Sequence, residues 1–501
     1  MENFLPRRVL HGPMKRNVNT SLARRQEDCE PADPANTVTD RLNNLLRRGG
    51  DGYVLQLCPN QVYLIQAPIA FAYPNQEIST AGYPTDAERA ILAVSGPVAD
   101  GKGHTTAVDG TCNDCNGVKL RNIQIDGARR GARSTQGGGN IEFGGDNSDQ
   151  LIEYVRSYDP RGWSCLHVAE GPFTCKGITI QNNDLGPCGS EEFQEWADGV
   201  SLSCRDSIVK NNLIQGATDG GIVVFGSPGS QITNNTIWVL NQTLLGGINM
   251  VDYDPWGGDY TGTVVRDNLI LGGFANDEPD DNVKGNNLQN AIIKIGIAIG
   301  PRSWFGDRFG NNVARNGVVW GNKFSGAFSY GIAITSSEGF VVQDNTMIGN
   351  TSFIGARGPY CKDDDIVPNP APFIVDLQTT RAATLQAGFE PIKDGDSLTC
   401  VLPPNGGDFW PFGLNPSNTS ASTSTSTSTS TNGTSSDATT SAAASSNNST
   451  GIAVGIVVAL VACGVIAWFV HKRIAARREK TQLFNATKGY NHNNEYTQKI
   501  S

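Results

Sequence analysis

The chain has 501 residues, with 39 lysines and arginines against 49 aspartates and glutamates and a net charge of -10. That acidic balance argues against a nucleic-acid partner, which would call for a basic face. The 11 cysteines and 58 glycines support a secreted reading.

Residues 1–28 read as a leader or propeptide-like segment, with Arg24-Arg25 just before Cys29 as a processing site. A helix is expected over residues 37–47, with Leu42, Leu45 and Leu46 on one side and Gly49-Gly50 stopping it. The runs YVLQLCP, VYLIQAPIAF and ILAVSG follow as strands. Ten cysteines precede an apolar run near the C-terminus, and Cys463 lies within it. An even number outside suits disulfides. At least one bridge is expected among Cys165, Cys175, Cys188 and Cys204, and Cys112 with Cys115 closes a tight loop. The Cys112-x-x-Cys115 spacing also suits zinc or redox chemistry, but neither a second such pair nor a nearby histidine pair accompanies it.

From about residue 117 to 349 one short pattern recurs: a strand-like run, a turn, and a second run ending in asparagine. It reads GITIQNN at 177, SIVKNN at 207, SQITNN at 230, GTVVRDN at 262, NGVVWGN at 316 and GFVVQDN at 339. Glycine-led runs accompany these, opening at Gly199, Gly221, Gly247, Gly296 and Gly331. Asn212 to Asn235 and Asn322 to Asn345 are each 23 residues apart, whereas Asn183 to Asn212 is 29. An irregular period of this size means one solenoid rung per repeat, with insertions taken up as loops. The period-2 alternation of β-branched residues suits stacked strands, and the asparagines suit left-handed turns and a stacked ladder.

This pattern resembles the right-handed parallel β-helix of the pectin-lyase-like superfamily, over roughly residues 36–400, with the helix at 37–47 as its N-terminal cap. The fold class expected is therefore all-β, a single-stranded parallel β-helix domain at 29–411. The repeat fades near residue 351, and FIVDLQTTRAATLQAGF reads as a last strand followed by a short helix in a C-terminal cap.

Residues 412–450 form a Ser/Thr-rich stalk, 451–470 an apolar segment of transmembrane length, and 471–501 a tail opening on His471, Lys472 and Arg473. The expected topology is a single-pass membrane protein with the β-helix outside and the C-terminus cytosolic. Sequons begin at Asn234, Asn241, Asn350, Asn418, Asn432, Asn447 and Asn448, all on the expected outer side. Asn234 sits in the asparagine row, and Asn485 is expected to stay bare.

What the resemblance implies about function is action on an extracellular or cell-wall polysaccharide, as hydrolase, lyase or epimerase. The galacturonase-type set, an N-T-D segment, paired aspartates, G-H-G and R-I-K, does not occur in order. The nearest aspartate pairs are Asp280-Asp281 and Asp363-Asp364.

The densest chemistry lies around residues 140–170. Alternation turns Glu142 and His167 outward, with Ser201 and Asn249 in equivalent positions on later rungs. Glu142 and His167 are candidate acid and base, and Arg161 a candidate for charge stabilisation. Asp159 and Trp163 are candidates for substrate contact. Asp198 and Asp219 each precede a glycine that opens a rung. They suit acid-base partners, calcium ligands or plain turn residues. Asp252, Asp254 and Trp256 fall in an irregular loop, and Arg302 and Trp304 in a later one. Calcium is the one candidate cofactor. The alternative from another class is a non-catalytic β-helix for glycan binding, adhesion or wall sensing.

Overall fold

The computed structural model describes residues 29–399 apart from 193, 240–241, 274–291, 354, 356–367 and 397. The leader, stalk, apolar segment and tail therefore lie outside the described residues, as do both tandem aspartate pairs, Cys361, Cys400 and Cys463. Among the described residues no helix is long and apolar enough to cross a membrane.

The strands pair almost wholly in parallel. One sheet has 11 strands, one from each successive turn of the chain, and a second sheet of 20 strands takes the other sides. Register is kept from rung to rung: Ile152 meets Ile180, Ile180 meets Val209, Val209 meets Ile232, and Ile232 meets Val265. All five are fully buried, so each rung adds one apolar layer to a continuous core. The alternation visible in the sequence is what pins this register, because a one-residue slip would turn every such side chain to solvent.

The asparagines form the expected ladder. The backbone N–H and the side-chain amide of Asn212 both donate to Oδ1 of Asn235, at 3.0 and 2.9 Å. Asn235 does the same to Asn268, Asn268 to Asn322, and Asn322 to Asn345. Asn234 stands beside this row and not in it. Its neighbour Asn235 is the buried member, while Asn234 is exposed with φ 54°.

The helix forms as expected, at Val38–Gly49, and buries Val38, Leu42 and Leu46 over the open end of the core. Polar side chains tie it to the rungs beneath: Asn43 of the helix accepts from Ala70 N–H, and Gln76 of the solenoid donates to the carbonyls of Leu46 and Gly50. A disulfide between Cys29 and Cys58 ties the chain below the helix to the first rung.

At the other end the expected short helix is absent. Ala371–Asp376 and Phe389–Ile392 are paired strands, and Leu385 between them pairs with Val342. The segment is a further rung in which Gln386 replaces the asparagine, accepting from Asn345 N–H at 2.9 Å. The extra methylene hid it from a search for asparagine.

Among the described residues, three more disulfides join Cys112 to Cys115, Cys165 to Cys188, and Cys175 to Cys204. The last two staple successive turns, closing loops of 23 and 29 residues. Replacing both Cys175 and Cys204 with serine is expected to lower unfolding free energy by about 2–4 kcal/mol, through the freedom it returns to the unfolded chain. Chemical denaturation of the double variant measures this, and an unchanged midpoint would count against the bridge.

Candidate active site

The glycine-led runs turn a corner, and that corner builds the site. In Asp198–Leu202 the side chains of Val200 and Leu202 are in the core, and a Cβ on Gly199 would also point inward, into Ile214. Asp198 and Ser201 are left on the outside, three residues apart. Glycine is required at the corner because rungs meet there backbone to backbone. A Cβ on Gly221 would stand 2.5 Å from Gly247 O, and one on Gly247 2.5 Å from Gly296 O.

Two outward rows therefore run along the solenoid. One carries Asp109, Glu142, His167, Ser201, Val223 and Asn249, and continues into Ala298 and Ala333. The other carries Ser164 and Asp198, then Gly220 and Gly246, then Ile295 and Tyr330. From Glu142 to Asn249 is four rung steps, about 19 Å at the usual strand spacing.

Glu142 and His167 are direct neighbours, with His167 Nδ1 at 2.6 Å from Glu142 Oε2. The His167 ring lies against Trp163, centroids 4.7 Å apart, and is buried. Trp163 thus covers the histidine before it offers a face to a sugar. Glu142 also accepts from Gly139 N–H.

One rung further, Ser201 Oγ donates to Asp198 Oδ2 at 2.7 Å and lies 3.0 Å from Ser164 Oγ. Asp198 Oδ1 accepts from Gly220 N–H at 2.8 Å. Burial pushes the Asp198 carboxyl well above the usual range, and the charges of Asp219 and Asp252 push the same way against its two hydrogen bonds. The Asp219 carboxyl, on a residue that is half-buried by exposure, is pushed up to about 7, by burial first and then by Asp252. The three aspartates feel one another across this stretch of the groove, so not all of them can ionise together near neutrality.

Beside them Asn249 is buried, and its Oδ1 has no hydrogen-bond partner. A Cβ on Gly220 would lie 2.2 Å from Val223 Cγ2, 3.0 Å from Asn249 Nδ2 and 3.1 Å from Asp198 Oδ1, so all three side chains crowd over that glycine. Orphaned buried amides are uncommon and costly, which marks this point of the groove.

The remaining candidates stand apart from this chemistry. The Arg161 guanidinium donates to the carbonyls of Gly96 and His104, tying loops together. Asp159 pairs with Arg130. Asp254 is exposed, and Trp256 donates from Nε1 to Ser203 O at 2.7 Å while its ring meets Phe173 edge-on. Arg302 pairs with Asp396 and Asn311. Trp304 is buried in an apolar cluster with Leu245, Ile295, Tyr330 and Leu398, which covers the groove's far end. Of the two residues expected to line the groove, Trp304 is thus buried among apolar side chains and Arg302 is held by Asp396 and Asn311. Among the described residues no three His, Cys, Asp or Glu side chains are placed to hold a metal ion.

Phe173 was not anticipated. It is 49% exposed, at φ 68°, and packs on Trp256. A bulky residue in the left-handed region is uncommon. Its pairing with a tryptophan 83 residues later leaves no mark in the sequence.

A raised carboxyl pKa has a consequence for stability. Asp219 binds its proton more tightly folded than unfolded, so its contribution is fully present below about pH 4 and is lost as pH rises through about 7. Asp219→Asn is expected to flatten the fall in melting temperature between pH 5 and 8. An identical fall in the variant would mean that the group titrates normally.

No protein-family model matches the sequence, and no curated protein does. Solved structures do. The chain is similar to DFA-IIIase from Arthrobacter chlorophenolicus A6 in complex with DFA-III (16% identity, 75% of this chain and 97% of that one, TM-score 0.39). It is similar to the hyperthermoactive exopolygalacturonase from Thermotoga maritima (14%, 70% and 88%, TM-score 0.38). A surface protein and adhesin from Streptococcus pneumoniae also matches (11%, 70% and 91%, TM-score 0.36). The register of the rungs themselves makes the chain a parallel β-helix protein, the architecture of the pectin-lyase-like superfamily.

Proposed function

We propose that the protein is a carbohydrate-active enzyme that uses acid-base chemistry on a glycan laid along the groove from Glu142 to Asn249. The observation that carries this is the set of three interacting aspartates, two of them holding protons far above the usual range. Structural ion pairs lower carboxyl pKa values; like charges gathered in a buried site raise them, and such sites are where proton-transfer groups are found. Asp219, protonated up to about neutral pH, suits the general acid, and Asp198, coupled to it across the rungs, suits its partner in proton transfer. Glu142 and His167 form a second proton-transfer pair on the adjoining rungs.

The reading extends to location. The four disulfides support an oxidising compartment, and the apolar run at 452–470 with its basic flank supports a surface-anchored domain. Extracellular or cell-wall polysaccharide is then the substrate within reach.

The test is to incubate the full chain with a panel of wall glycans and measure new reducing ends and unsaturated products, beside Asp198→Asn and Asp219→Asn. Product that both variants fail to make supports the enzyme. Binding without product, unchanged in the variants, moves the protein to the glycan-binding class.

A further inference from the structure

Among the described residues, the two outward rows are built without cations. Neither outward row carries a lysine or arginine between Asp109 and Ala333. The basic residues nearest to them are committed elsewhere. Arg161 serves two backbone carbonyls, Arg302 pairs with Asp396, and Arg129 pairs with Glu195. Lys294 is buried under the C-terminal segment, where its ammonium donates to Thr399 O. The floor is meanwhile acidic, through Glu142, Asp198, Asp219 and Asp252. Beside it Asn249 is buried: its Nδ2 borders Gly220 together with Asp198 Oδ1, and its Oδ1, which has no hydrogen-bond partner, lies over Gly246 next to the Trp304 ring. That oxygen is an acceptor, and it is satisfied by a hydroxyl or an N–H from a ligand, not by a carboxylate.

A uronate or sulfated sugar entering here would set its charge beside a cluster of acidic side chains, repelled by whichever of them is ionised, with no guanidinium in either described row to receive it. Rejection by like charge is a recognised route to specificity. We infer that the groove selects a glycan free of acidic substituents, a neutral or amino-sugar chain, and that Asn249 receives one of its hydroxyl or amino hydrogens. This rests on the glycan reading above and narrows it: the architecture alone does not imply the charge of the substrate, and the acidic polysaccharides expected from the resemblance are the ones this floor repels.

The full chain is to be tested for retention on a neutral β-glucan, on chitosan and on polygalacturonate at pH 7 and low salt. The neutral or amino glycan is expected to be held at least roughly tenfold more tightly than polygalacturonate. High salt is expected to narrow that gap by screening the repulsion. Asp219→Asn should narrow it as well, and Asn249→Leu should weaken retention of the favoured glycan several-fold. Polygalacturonate held as tightly as the others, or a gap that salt leaves unchanged, would overturn the inference while leaving the glycan reading in place. Retention of none of the three would overturn the glycan reading and this inference with it.

Discussion

Asp198→Asn and Asp219→Asn, made one at a time, are each expected to lower kcat on the glycan substrate by roughly 10²–10⁴-fold, with KM changed only a few-fold. Asparagine keeps the size and one acceptor of the carboxyl but cannot exchange a proton. In Asp198→Asn the acceptor from Gly220 N–H can be retained, so the fold is expected to survive. The wild-type rate should fall as pH rises through about 7, where Asp219 loses the proton it would give to a leaving group. In Asp219→Asn that alkaline limb should disappear along with most of the rate. Initial rates from pH 4 to 9 measure both, and an alkaline limb that persists unchanged in Asp219→Asn would assign the acid to another group.

Asn268→Ala is expected to lower unfolding free energy by about 2–4 kcal/mol, because it orphans several buried groups at once. Oδ1 of Asn268 accepts from the N–H and the amide of Asn235, and its own amide donates to Ile232 O and Asn322 Oδ1. Asn234→Ala is the internal control. That residue is exposed and makes none of these ladder bonds, so the cost should stay within about 1 kcal/mol, mainly that of a left-handed backbone without Asn. Urea titrations of the two variants should therefore separate clearly; equal midpoints would mean that the ladder adds nothing to stability.

Much of this was legible in the sequence. Period-2 alternation marked the inward residues, the 23-residue spacing of asparagines marked the ladder, and Leu42 and Leu46 marked the capping helix. The outward placement of Glu142, His167, Ser201 and Asn249 on one row followed from alternation alone, and they do align. Three things were not readable. Asp198 and Asp219 before glycine suited acid-base partners, calcium ligands and turn residues alike, because sequence shows a turn signal but not which buried charges gather across rungs. Asn268 and Asn322 are 54 residues apart yet are ladder neighbours, so an insertion concealed how many rungs lay between them. Trp304 and Arg302 suited a sugar groove by composition, whereas only coordinates place Trp304 in the apolar cover and Arg302 on Asp396.

The asparagine row also has a direction. Each member gives its protons to the oxygen of the next one toward the C-terminus, and Gln386 receives from the last. A chain of identical donors and acceptors arranged head to tail has no preferred length. Removing or duplicating one whole rung between Asn212 and Asn322 would leave every remaining amide with the same partners it has now. A cut of any other size would break the sequence of handovers and expose core. The ladder can therefore lengthen or shorten by whole turns, and of the turns between Asn212 and Asn322 the one from Asn268 to Asn322 carries neither Asp219 nor Asp252.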